Sequence, residues 1–181
     1  MLNIIITIDY EIFGNGKGDV RKHIIYPTNK ILNSCEDYKV PVVIMFEIDE
    51  YVKFREYDEA LIKDLGYSPF QMIRNQIKTV LKNGHDVQLH IHPQWEHAEY
   101  KDGNWIIKHP DAPITEQSEG SLAKLIKKGI EEINNISKYV QQDNNCVALR
   151  LTNMPWEEAP EKFLNSMINN GIKIHSLSNS N

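Results

Sequence analysis

The chain has 181 residues, 41% of them hydrophobic, which is enough for one ordinary globular domain with a single sizeable core and leaves little room for two. Its formal charge of -5 comes from 25 acidic and 20 basic residues that are interspersed rather than blocked; with no basic stripe to neutralise a phosphate backbone, nucleic acid is not an expected partner. Cys35 and Cys146 lack the C-x-x-C spacing of zinc or redox sites and read as buried thiols, and the longest apolar run, Ile4–Ile8 with Thr7 inside it, falls far short of the roughly 20 residues of a membrane span, so a soluble, cytoplasmic protein is expected.

Ile4, Ile5, Ile6 and Ile8 form a short run rich in β-branched residues, which suits a parallel strand buried on both faces and ending at Asp9. Pro41–Phe46 repeats the pattern and gives way to the acids Glu47, Asp49 and Glu50. Further strands are expected over His85–His92, Cys146–Leu151 and Ile172–His175. Between them lie helices. Ser68 is an N-cap, Pro69 takes the first helical position and Gln71 completes the box; Ile73, Ile77, Val80 and Leu81 then share one face, with Gly84 as the stop. Leu122, Leu125, Ile126, Ile130, Ile133, Ile136 and Val140 keep helical spacing, as do Phe163, Leu164, Met167 and Ile168 before Gly171. Strand then helix, repeated, implies an α/β fold of parallel strands with crossover helices, open or curled into a barrel. In either form the functional groups sit at the C-terminal ends of the strands.

The segment Pro93–Glu119 breaks this rhythm, being rich in His, Trp, Pro and Asp. Loops of that length are functional or disordered. Within it, Tyr100–Trp105 carries an Asp-Gly pair and is expected to form a small hairpin.

Two acids, Asp9 and Glu11, arrive at the end of the first strand, where a carboxylate pair can bind a cation or act as a base; capping a following element is the equally weighted alternative. In the third strand, alternation places Val87, Leu89 and Ile91 on one face and Asp86, Gln88, His90 and His92 on the other. Two imidazoles two residues apart on one strand face enter one volume, a common arrangement for zinc or another borderline cation. His85 starts the strand, away from the site, and is read as structural. Arg150 ends the fourth strand and is placed to pair with a carboxylate at the same rim.

The ordered set Thr7-Ile8-Asp9-Tyr10-Glu11, then His85-Asp86-Val87-Gln88-Leu89-His90-Ile91-His92-Pro93, then Ala148-Leu149-Arg150 resembles the polysaccharide deacetylases, carbohydrate esterases with a deformed (β/α)7 barrel. The resemblance implies a single domain over residues 1–181 with Asp9 as general base. The family's second Asp falls on Tyr10, so Glu11 is the implied substitute metal ligand. In the family pattern H-(S/T)-x-x-H, His90 matches the first histidine and Gln94 occupies the place of the second; His92 is the implied replacement, with Gln94 reaching the metal or a bound water. Arg150 matches the arginine that contacts the catalytic Asp. Two departures stand out: Leu151-Thr152-Asn153-Met154 is unlike the family's usual continuation, and the family's closing strands and C-terminal catalytic histidine are expected beyond residue 181, since His175 comes too early in the order.

The expectation is therefore metal-dependent hydrolysis of an N-acetyl or related acyl group on a sugar or polysaccharide, with a divalent cation, zinc by preference. Trp95, Trp105 and Trp156, on rim loops, offer flat faces for sugar stacking, although a single loop tryptophan is more often packing. His97 and His109 are candidate substrate contacts. A metal-dependent amidohydrolase acting on a small amide and a non-catalytic carbohydrate-binding protein are the rival expectations. An incomplete barrel also leaves strand edges that invite self-association.

Overall fold

The computed structural model describes residues 4–108, 118–141, 144–152 and 161–178. The strands β1 (Ile6–Tyr10), β2 (Val42–Glu47), β3 (Asp86–Ile91), β6 (Ala148–Thr152) and β7 (Ile174–Ser178) form one parallel sheet in the order β1-β2-β3-β6-β7. Between β3 and β6 a short antiparallel hairpin pairs β4 (Glu99–Lys101) with β5 (Asn104–Ile106), with Asp102 and Gly103 at positive φ in its turn. The helices are α1 (Tyr26–Asp37, entered through a π-helical turn Arg21–Ile25), α2 (Ile48–Glu56), α3 (Asp58–Leu65), α4 (Pro69–Lys82), α5 (Glu119–Tyr139) and α6 (Glu161–Asn169).

The local signals act as expected where they are strongest. Ser68 Oγ accepts the Gln71 N–H at 3.0 Å at the start of α4, and Gly84 takes φ +82° just past its end. The apolar faces of α4 and α5 are buried through Ile73, Ile77, Val80, Leu81, Leu122, Leu125, Ile126, Ile133 and Ile136, at roughly 1.5–3 kcal/mol of transfer free energy for each large aliphatic side chain. They pack on Ile44, Phe46, Val87, Leu89, Ile91, Leu149 and Leu151, so the apolar core lies between the helices and one face of the sheet. The other face carries Thr7, Asp9, Gln88, His90, Arg150 and Ser176.

The sheet is curled into a half-barrel. Arg150 on β6 hydrogen-bonds Asp9 and Thr7 on β1, although β2 and β3 stand between these strands in the sheet. In a flat sheet, three strand spacings would put β1 about 14 Å from β6. Only curvature brings the two within one side chain's reach.

Two expectations change. Ile4, Ile5 and Ile6 are exposed: β1 begins only at Ile6 and pairs with β2 alone among the described residues, so it is an edge strand rather than one covered on both faces. Cys35 is only half-buried on α1, whereas Cys146 is buried and its thiol is pushed up to about 12 by that burial. The hairpin expected over Tyr100–Trp105 is present as β4–β5, and a 3-10 turn (Pro93–His97) precedes it.

Gly129 sets how closely α5 approaches the site-bearing strand. A β-carbon there would stand 2.4 Å from Leu89 Cδ1 and 3.1 Å from Ile48 Cγ2, both on side chains locked in the core. Gly129→Ala is expected to lower the unfolding free energy in urea by about 1–3 kcal/mol through overpacking, despite alanine's better helix propensity. Gly120→Ala on the same helix meets open space and should leave stability unchanged or slightly raised. Equal effects from both would contradict the close approach.

Candidate metal centre

β1 and β3 deliver their polar residues to the same rim. Glu11 follows β1, His90 lies near the end of β3, and His92 follows it in extended conformation (φ -118°, ψ 95°) before Pro93 starts the turn. Glu11 Oε2 lies 2.7 Å from His92 Nε2 and 3.3 Å from His90 Nε2, and the two ring nitrogens are 3.0 Å apart. Both imidazoles are buried and Glu11 is largely so. Three donor atoms in one small volume are what a divalent cation requires; around zinc such atoms spread to about 3.3 Å from one another, a few tenths of an ångström wider than here.

Hydrogen-bond accounting supports this fit. The Arg150 carbonyl, which can only accept, is 2.9 Å from His90 Nδ1, so that nitrogen carries the proton and, in the neutral ring, Nε2 turns its lone pair into the cluster. On His92, Nδ1 is 2.9 Å from the side-chain amide of Gln94. Flipping that amide is isosteric and would let Oε1 accept an Nδ1–H, freeing Nε2 for a cation. Glu11 Oε2 is the orphan: it is buried beside two ring nitrogens yet receives no properly directed hydrogen bond. Burial alone would raise the Glu11 carboxyl, but its polar contacts with His90 and His92 outweigh that and hold it at about 2.

Arg150 meets the other acid. Its Nη1 donates to Asp9 Oδ1, Nη2 donates to Thr7 Oγ1 at 2.9 Å, and Nε and Nη2 donate to Ser176 Oγ at 3.0 and 2.8 Å. A cavity of about 210 Å³ borders Asp9 and Glu11 and is also lined by His23, Ile24 and Pro27. A cavity of about 580 Å³ lies elsewhere, among α2, α4 and α5 around Arg74 and Tyr139.

The structure thus joins Glu11, His90 and His92, and separately joins Asp9 to Arg150 on the same sheet face. Gln94 stands at the far ring nitrogen of His92, its side-chain amide 2.9 Å from Nδ1. Trp95 is fully buried against Phe54 and Trp105, so it is a core side chain with no face for a sugar. Trp105 is half-buried among Phe54, Tyr57 and Tyr100 and lines a cavity of about 330 Å³ beside residues 15–20. The His97 ring is exposed, with Glu96 4.0 Å away. His85 is structural, as expected: its Nδ1 accepts the Val42 N–H at 3.2 Å. His175 packs on Phe163 of α6, away from Asp9. His109 and Trp156 lie outside the described residues.

Two buried acids next to the centre carry no mark in the sequence beyond following an apolar strand. Glu47 accepts the His92 N–H at 2.9 Å, and Glu50 accepts the Ile12 N–H at 3.1 Å through each oxygen. Burial first, then neighbouring carboxylates, push both carboxyls well above the ordinary range: Asp49 and Glu50 act on Glu47, and Glu11 acts on Glu50.

Fold and site together define a parallel α/β half-barrel with a carboxylate–diimidazole cluster at its C-terminal rim. No protein-family model, curated protein or solved structure matches the chain.

Protein equilibrated with zinc and then dialysed should retain the ion by elemental analysis, His90→Ala should lose it, and His97→Ala should match the wild type. Full zinc retention by His90→Ala would remove that ring from the centre.

Proposed function

We propose that the chain is a metal-dependent hydrolase that removes an N-acetyl or related acyl group from a sugar or polysaccharide. The observation that carries the hydrolytic reading is the convergence of Glu11 Oε2, His90 Nε2 and His92 Nε2 at the strand rim where Asp9, two residues from Glu11, is held by Arg150. The motif order along β1, β3 and β6, which resembles the polysaccharide deacetylases, adds the acylated sugar as substrate.

Glu11, His90 and His92 would hold the cation, and their mixed nitrogen and oxygen donor set suits zinc. When bound, such an ion supplies Lewis acidity that polarises an acyl carbonyl and makes water a better nucleophile near neutral pH. Asp9 takes the proton as water's oxygen adds to the acyl carbon; the C–N bond then breaks, leaving a carboxylic acid and an amine to which that proton can pass. Arg150 keeps Asp9 from swinging away, and His90 Nδ1 stays fixed on the Arg150 carbonyl. Trp105 and His97 are the described candidates for contact with the sugar. The proposed setting is cytoplasmic; no helix among the described residues is long and apolar enough to cross a membrane.

Acetate release from a panel of N-acetylated sugars, measured with zinc-loaded protein, tests the reading. Asp9→Asn should keep zinc and lose about 10²–10⁴-fold in rate, whereas Glu11→Gln should loosen the metal itself. Loss of zinc in Asp9→Asn with zinc retained in Glu11→Gln would exchange the two roles. Hydrolysis of small amides alone would select an amidohydrolase, and metal retention without any hydrolysis would select a binding protein.

A further inference from the structure

We propose that Glu47 is a positioning residue of the metal centre, setting His92 through that residue's backbone amide while capping α2. This rests on reading Glu11, His90 and His92 as the ligands. Glu47 ends β2 directly across the ladder from His90 and is buried. Its Oε1 accepts the His92 N–H at 2.9 Å and the Asp49 N–H at 3.3 Å, and its Oε2 accepts the Glu50 N–H. Helices are ordinarily capped by Ser, Thr, Asp or Asn, whose short side chains suffice for the first turn. A glutamate here does what a shorter cap cannot: it serves the first turn of α2 and also reaches across to the adjoining strand's end.

The place it reaches matters. His92 lies one residue past the end of β3, whose ladder with β6 closes at Ile91 and Leu151, so strand pairing no longer dictates its backbone. The imidazole of His92 must nevertheless meet Glu11 and His90 to within a few tenths of an ångström. Glu47 anchors the main chain at that point, and Gln94 anchors the ring's far nitrogen. The next turn of the chain repeats the device for the other ligand strand: Glu50 holds the amide of Ile12, the residue after Glu11. One strand-to-helix junction, Glu47–Glu50, thus grips the backbone beside a ligand on each side of it.

The discriminating variant is Glu47→Asp, which keeps the carboxyl group and the cap but draws them back by one methylene. Zinc affinity is read by competition with a chromophoric chelator, cobalt(II) absorption reports ligand geometry, and thermal unfolding reports the fold. Ser68→Ala, a cap lesion at α4 remote from the centre, calibrates a purely structural loss. Glu47→Asp is expected to bind zinc roughly 10–100-fold more weakly than wild type and to alter the cobalt spectrum, while Ser68→Ala lowers the melting temperature with zinc affinity unchanged. Wild-type zinc affinity in Glu47→Asp would reduce Glu47 to a cap and leave the centre standing. Failure of the wild-type chain to bind either ion would overturn the centre and this inference with it. If Glu47→Asp does not fold, Glu47→Gln decides, because only one of the two accepting oxygens survives: weakened zinc supports the role and unchanged zinc overturns it.

Discussion

Arg150 ties the half-barrel to its site. Its guanidinium donates to Asp9, Thr7 and Ser176, and its carbonyl accepts from His90 Nδ1, so one residue of β6 touches β1, β3 and β7 at the same level. The bridge from β6 to β1 demands a curled sheet, and curvature is what brings the Asp9 and Glu11 strand round toward the histidine strand. Among the described residues the polar face is built around this group, while the opposite face is left to the apolar core. Charge-assisted hydrogen bonds within a partly buried site are stronger and better directed than surface pairs, so the arrangement is stiff where chemistry needs it to be.

The imidazoles are oriented from outside the cluster. Each has its remote nitrogen occupied, His90 by a carbonyl and His92 by Gln94, so that both Nε2 atoms face Glu11. Metal sites are commonly built in this way, with outer partners fixing the tautomer and angle of each ring. Glu47 and Glu50 extend the control to the main chain. Their raised carboxyls and the depressed one of Glu11 lie within a short stretch of the same rim: burial and neighbouring carboxylates raise the first two against the lowering pull of backbone amides, whereas contacts with two imidazoles outweigh burial for the third.

Much of this was legible in the residue order. The alternation across Asp86–His92 assigned both faces of β3, because a period of two is a local property and neighbours cannot alter it. The capping signals of α4 were equally local. Features that depend on distant partners were not legible. The Ile4–Ile8 run reads the same whether the strand is central or at an edge, and it does not show that pairing begins only at Ile6. Trp95 sits in a turn rich in polar residues and looked available, yet it is sealed by Phe54 of α2 and Trp105 of β5, residues 41 and 10 positions away in the chain. Gln94 falls at the family's second histidine position, and its bond to the far ring nitrogen of His92 could not be read from that position. Glu47 was visible only as the first acid after a strand; its bond to an amide 45 positions away leaves no local trace.

Zinc K-edge X-ray absorption on the metal-loaded chain tests the central claim most directly. The account predicts a shell of nitrogen and oxygen scatterers at about 2.0–2.1 Å, with the outer-shell pattern of two imidazoles. A sulfur shell at about 2.3 Å, or a shell without imidazole, would place the ion on a cysteine or elsewhere and contradict it.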